Sequence, residues 1–191
     1  MKPKIGLITT HYVINYGAVL QAYGLFKFLG NFGDVEIINY QPRVSHDGTK
    51  QRINFKSLKS FLYSVYSLLN IKFQKQRNYR LNAFGCFLDI HFKLITHVLK
   101  SKNEVESFIS KYDWIVVGSD QIWNPSLFKD DVYYLNFRKK LKQQKYISYA
   151  ASIAEKISKQ EYSKLASKLN LIDKISVREQ YSADELGKFL K

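Results

Sequence analysis

Short unbroken apolar runs alternate with helix-spaced apolar stripes along this chain. Ile5 to Thr9 (IGLIT) reads as a buried strand, followed by a polar loop from His11 to Tyr16. From Gly17 onward, Val19, Ala22, Tyr23, Phe26 and Leu29 recur at i, i+3, i+4, i+7 and i+10, which predicts one apolar helical face. Gly30 and Gly33 supply its stop, and Val35 to Asn39 (VEIIN) is a second strand. Strand, helix and strand in this space form a βαβ unit and hence a parallel sheet.

Gln41 to Asn54 is polar, with a Pro and an Asp-Gly turn, and reads as a loop. Lys56 to Leu69 and Lys72 to Phe92 carry helical spacing, and Asn103 to Ser110 predicts a short helix. Trp114 to Val117 is a third strand. Val132 to Phe137 and Tyr146 to Ala150 are further strand candidates, and Ile175 to Val177 is a short one. Ser158 with Glu161 forms a capping box ahead of a helix bearing Tyr162, Leu165, Ala166 and Leu169, and Ser182 with Glu185 caps a last helix. The alternation predicts an α/β fold, a Rossmann-like doubly wound parallel sheet in a single domain over residues 1–191.

The strand at Trp114 ends abruptly at Gly118, and the next residues, Gly118 to Asn124, are small, polar, acidic or aromatic. Open α/β sheets bind ligands beyond the carboxyl ends of their strands, so this loop is the leading site candidate. Asp120 is the candidate catalytic residue, as a general base on a sugar hydroxyl. Ser119, Gln121 and Asn124 are neutral groups suited to sugar hydroxyls, and Trp123 offers a face for a sugar ring. A second candidate is Asn15-Tyr16-Gly17, where a strand turns into a helix whose free N–H groups suit a phosphate or a sugar oxygen. His11 follows the first strand toward the same crevice, and Arg178-Glu179 follows the last. Neither the dinucleotide fingerprint nor the P-loop pattern is present.

Composition narrows the classes. The 30 Lys+Arg against 16 Asp+Glu give +14, which favours polyanions or reflects a Lys-rich surface. Basic and aromatic residues interleave from Lys72 to Lys93; this pattern suits single-stranded nucleic acid, but a helical layer over the sheet is the better reading, and nucleic acid is not expected as a partner. The single cysteine, Cys86, excludes an internal disulfide and a cysteine-based zinc site, and its setting in AFGCFL reads as core packing. His46, His91 and His97 share no metal-ligand spacing, so no metal is expected. No run approaches the roughly 18 apolar residues of a membrane span, and a soluble cytoplasmic protein is expected.

Several stretches taken together resemble the polysaccharide pyruvyl transferase family: IGLITTHYVINYGAVLQAYGLFKFL, YDWIVVGSDQIWNP, YYLNF, KYISYAASI and DKISVREQ, in this order from Lys4 to about Leu190. The resemblance implies a glycosyltransferase-B type architecture with two Rossmann-like halves. It also implies transfer of a pyruvyl (carboxyethylidene) group from phosphoenolpyruvate to a sugar hydroxyl pair of a surface polysaccharide, as in capsule, exopolysaccharide or cell-wall synthesis. Asn15, Tyr16, Gly17, Gly118, Ser119, Asp120 and Gln121 would line the cleft on the N-terminal half, with Ser152 and the Arg178-Glu179 pair near it. No cofactor is implied; phosphoenolpyruvate is the donor substrate. The acceptor would be a sugar or a glycan-lipid. From its basic surplus the cytoplasmic protein is expected to associate peripherally with the anionic inner membrane face. Members of the family continue into a second half, where the donor-binding bases and the catalytic histidine are expected. This chain is therefore expected to be an N-terminal half, as a fragment, a split enzyme or a decayed gene product, inactive alone or completed by a second-half polypeptide. The alternative is a non-catalytic sugar- or anion-binding module.

Overall fold

The computed structural model describes residues 2–42, 57, 59, 61, 66, 70–93, 97–128, 130–137 and 141–190. Most of the predicted 41–54 loop and 56–69 helix, and His46 with them, lie outside the described residues. Strands β1 (Lys4–Ile8), β2 (Asp34–Ile37), β3 (Trp114–Gly118) and β4 (Lys145–Tyr149) form one sheet in the order β2-β1-β3-β4. Every pairing is parallel, with Leu7 opposite both Ile37 and Val116, and Gly118 opposite Tyr149.

The unbroken apolar runs have a physical cause, because both faces of the sheet are covered. Helix α1 (Tyr16–Leu29) packs Val19, Ala22, Leu25 and Leu29 against Ile5, Leu7, Ile37 and Val116. Alternate strand residues, Ile8, Ile115 and Val117, point to the other face. They meet the helices α3 (Lys102–Phe108) and α4 (Lys159–Lys168) through Val105, Tyr162, Leu165 and Ala166. Burying each of the larger aliphatic side chains among them contributes roughly 1.5–3 kcal/mol. The Ser158–Glu161 capping box forms as expected. The long helix α2 (Ile71–His91) joins the α1 side through Phe84, Phe87 and Leu88.

Four expectations are corrected. Val132 to Phe137 is not a strand: Asp130 Oδ1 accepts from the Val132 N–H at 3.0 Å and opens a 3-10 turn, Asp131–Tyr134, which closes on Leu135 at φ 50°. All but Asn136 in that run are buried hydrophobics, a pattern that fits a packed turn as well as a strand. Residues 175–177 form no strand: the segment runs beside β4 and the residues after it through isolated parallel bridges at Ile147↔Lys174 and Ala151↔Val177, with the Ser176 N–H donating to the Ser148 carbonyl at 3.2 Å, and Ala150 between the bridges takes φ 48°. The last helix, α5 (Gln180–Leu186), starts at Glu179, so Ser182 lies buried within it and caps nothing. Cys86 is exposed, since α2 packs by the Phe84–Phe87–Leu88 stripe and Cys86 falls on the opposite side.

Gly118 ends β3 at φ 153°, and a Cβ built there would lie 2.0 Å from the Tyr149 carbonyl oxygen. Gly24, in the middle of α1, has nothing within 4 Å of the same position. Gly118→Ala should therefore destabilise the fold by roughly 3 kcal/mol or more. Gly24→Ala should stabilise it by roughly 0.5–1 kcal/mol. Denaturant unfolding of the two variants beside the parent chain checks both signs.

Candidate functional site

In the strand order, β2 lies on one side of β1 and β3 on the other, so the direction of winding reverses between β1 and β3. Such a switch point leaves a crevice at the carboxyl ends of the two strands. An open cleft of about 350 Å³ lies there, lined by Tyr12, Val13, Asn15, Gly17, Ala18 and Gln21 from the β1–α1 segment. Asp120, Gln121, Leu127 and Phe128 line it from the segment after β3, and Arg178 closes one side.

Asp120 is positioned mainly by its backbone. The loop after Gly118 is stitched to the chain that follows β4: Ser119 N–H donates to the Tyr149 carbonyl (3.0 Å), Ser152 N–H to the Asp120 carbonyl (2.9 Å) and Trp123 N–H to the Ser152 carbonyl (3.1 Å). Ser119 takes a left-handed φ of 71° to make the turn. From β1, Thr10 Oγ1 donates to Asp120 Oδ2 at 2.7 Å. Oδ1 carries no hydrogen bond among the described residues, so one carboxylate oxygen is held and the other is free to accept a substrate hydroxyl.

Arg178 reaches the cleft from the segment beside β4. Its Nη2 donates to Ser152 Oγ at 2.8 Å and its Nε to Glu179 Oε1 at 3.2 Å. The Ser152 hydroxyl in turn donates to Glu179. A fully buried Ser152 thus works from beneath the cleft by fixing the guanidinium.

The other expected residues divide. Asn15 caps α1, its Oδ1 accepting from the Ala18 N–H at 3.2 Å, and lines the cleft with Gly17 and Gln121. Tyr16 turns away: it is 65 % exposed, and its ring lies 4.9 Å from that of Phe84 on α2. Trp123 offers no stacking face, being 1 % exposed with its indole N–H donating to the Tyr133 carbonyl at 2.9 Å. The apolar ring stays in the core and anchors the loop from below. Asn124 is buried too, its Oδ1 accepting from the Ser126 N–H at 2.9 Å. Gly118 and Ser119 serve the turn and are not among the lining residues.

His11 is buried below the rim. Nδ1 donates to the Thr9 carbonyl at 3.1 Å, and Nε2 meets the Asn39 side-chain amide at 3.2 Å. Burial depresses its basicity, against the opposing pull of those two contacts. Thr10, Tyr12 and Gln21 escaped the sequence reading. Gln21 could have been found, as a polar residue one turn after Gly17 on the same helix face, beside the apolar stripe. Tyr12 and Thr10 carry no signal until β1 and β3 are paired. The Tyr12 hydroxyl sits 3.1 Å from that of Tyr133, a phenol raised well above its ordinary range by burial. Among the described residues no group of three His, Cys, Asp or Glu could hold a metal ion.

A family model described as polysaccharide pyruvyl transferase matches residues 15–189. The chain belongs to this family. No curated protein and no solved structure matches it. The match runs from the α1 cap at Asn15 through α5, so the pyruvyl transferase region holds most of the cleft lining, the Asp120 loop and the Arg178 turn. Tyr12 and Val13 line the cleft just before it.

The neutral His11 sets a pH dependence. Its native proton affinity lies below the unfolded value of 6.5, so the unfolded chain binds more protons under acid conditions. The stabilisation is complete above about pH 6.5 and is lost as pH falls toward the native midpoint, by up to about 1.4 kcal/mol per pH unit. An NMR titration should place the His11 imidazole midpoint below 6.5, and denaturant midpoints should fall over the same window.

Proposed function

We propose that the cleft at the β1–β3 switch point holds the acceptor sugar for transfer of a pyruvyl group from phosphoenolpyruvate, building a ketal on a unit of a surface polysaccharide. Asp120 carries the reading. Its carboxylate stands in the cleft with Oδ2 held by Thr10 and Oδ1 free, which supports a general base for a sugar hydroxyl. Asn15, Gln21 and Gln121 are neutral partners for the remaining hydroxyls, and Arg178 is the cation beside them.

The chemistry states what must be supplied. Two sugar oxygens form bonds to C2 of the enolpyruvyl unit, the C2–O bond to phosphate breaks, and C3 gains a proton to become a methyl group. Two hydroxyl protons are released; one balances C3 and the other leaves with phosphate or solvent. Asp120 is the group placed to take the first.

Phosphoenolpyruvate brings a phosphate and a carboxylate. Among the described lining residues Arg178 is the one cation, and it is already paired with Glu179. We therefore place the donor site on an opposing wall, contributed by further polypeptide of the same protein or by a separate chain. Closing that wall supplies the orientation that transfer requires. The reaction belongs in the cytoplasm, where phosphoenolpyruvate is available.

Transfer is measured as phosphate release from phosphoenolpyruvate together with ketal formation on a sugar diol acceptor, with and without a second-half polypeptide. Asp120→Asn should lower kcat by about 10²–10⁴-fold with acceptor affinity retained. Wild-type rates in that variant would remove Asp120 from the reaction. Saturable glycan or anion binding without phosphate release under either condition would point to a non-catalytic binding module, which the free N–H groups at the α1 start beside Arg178 also suit.

A further inference from the structure

Helix α2 has two unlike halves. From Phe84 to Phe92 it packs on α1: Phe84 meets Tyr16 at 4.9 Å between ring centroids, and Phe87 and His91 meet Tyr23 at 5.6 and 5.4 Å. Later α2 residues therefore contact later α1 partners. Yet α1 begins at the cleft end of the sheet, so the residues of α2 before Phe84 lie beyond Tyr16, outside the α1 stack. At about 1.5 Å per residue, Ile71 is about 20 Å from Phe84 along the helix. Over this stretch only Gln74, Arg77 and Leu81 are even half-buried.

The chemistry of this arm is one-sided. Residues 70–88 include Lys72, Lys75, Arg77 and Arg80 and no acid. Ile71 and Tyr79 are 72 % and 76 % exposed, and Phe73 is exposed too. The first turn of α2 holds no carboxylate. A helix start carries partial positive charge and favours acids, so Lys72 in the first turn weakens the isolated helix. Local conflicts of this kind concentrate where function requires them. An anionic surface removes the conflict by pairing with Lys72, Lys75 and Arg80 and with the helix end together. Exposed aliphatic and aromatic side chains among those cations suit the headgroup layer of a bilayer. Isoleucine has no stacking use on a nucleic-acid base.

We propose that the first half of α2, Ile71 to Arg80, docks this protein on an anionic lipid bilayer. If the cleft takes a sugar acceptor, the same contact delivers it to lipid-carried glycans, but docking does not depend on that activity. No helix among the described residues is long and apolar enough to cross a membrane, so attachment is by the surface of α2.

Vesicle co-sedimentation of the full chain tests this, using equal parts phosphatidylglycerol and phosphatidylcholine beside phosphatidylcholine alone. The chain should sediment with the anionic vesicles, be released as salt rises, and stay in the supernatant when neutral vesicles sediment. The triple variant Lys72→Glu, Lys75→Glu, Arg80→Glu should weaken partitioning by at least about a hundredfold, at roughly fivefold per cation. Of the three positions only 72 lies in the first turn, where glutamate favours the helix, so circular dichroism and denaturant unfolding of the variant separate lost binding from lost fold. The control triple Lys142→Glu, Lys164→Glu, Lys174→Glu, equal in charge but elsewhere, should bind as the parent does. Equal loss in the control would reduce the effect to net charge and overturn the proposal. Equal binding to neutral vesicles would overturn it, as would tighter binding of a single-stranded DNA oligonucleotide through the same three cations.

Discussion

Gly118 and the Tyr149 carbonyl touch where β3 and β4 end, and no side chain fits between them. The two strands stay in register to their last residues because of this contact. The segments that leave them are then close enough to exchange backbone hydrogen bonds through Ser119, Asp120, Ser152 and Trp123. Backbone bonds locate a side chain more firmly than rotamer preferences do, since no χ entropy is lost in making them. Trp123 completes the arrangement from below, its large ring buried and its N–H satisfied. A loop rich in polar groups can then sit at the edge of a dry core without leaving its backbone unpaired.

The polar groups around the cleft form separate units with distinct tasks. Thr10 ties the β1 side to Asp120, so the carboxylate belongs to both walls of the crevice. Ser152 and Glu179 hold Arg178 at the other side. His11 ties the end of β1 to Asn39 beyond β2 and does so as a neutral ring, because full burial penalises its charged form. Tyr12 joins the cleft to the buried phenol of Tyr133 through their hydroxyls, and Phe128 meets the same ring edge-on. Acceptor-binding chemistry, which needs neutral hydrogen-bonding groups and one base, fits this inventory better than the binding of a multiply charged donor.

Helix α2 shows how far packing and propensity can separate. Its second half is held by aromatic contacts with α1, and most helical stability in proteins comes from such packing. Its first half has the spacing of a helix, a capping Asn70 that accepts from the Phe73 N–H, and Lys72 in the first turn where an acid would serve better. The family match covers this region with the rest of the domain, and it leaves open what the arm faces.

The parallel α/β architecture was legible in the one-dimensional pattern, because a strand buried on both faces must be apolar throughout and a covering helix must show a stripe. The loop after Trp114–Val117 was legible for the same reason: polar residues crowded directly behind such a strand have only the sheet edge to occupy. Residue types could not say which of them point outward. Trp123, Asn124 and Tyr16 are as polar or aromatic as any sugar-binding residue, yet the first two are buried under the loop and the third packs on α2. The run from Val132 to Phe137 suits either a strand or a turn, and Asp130 selects the turn. Thr10 and Asp120 stand 110 positions apart, and Ser152 and Arg178 stand 26 apart. Contacts across such separations depend on strand order and register, quantities that local periodicity does not contain. They arise when the faces of the sheet are buried together.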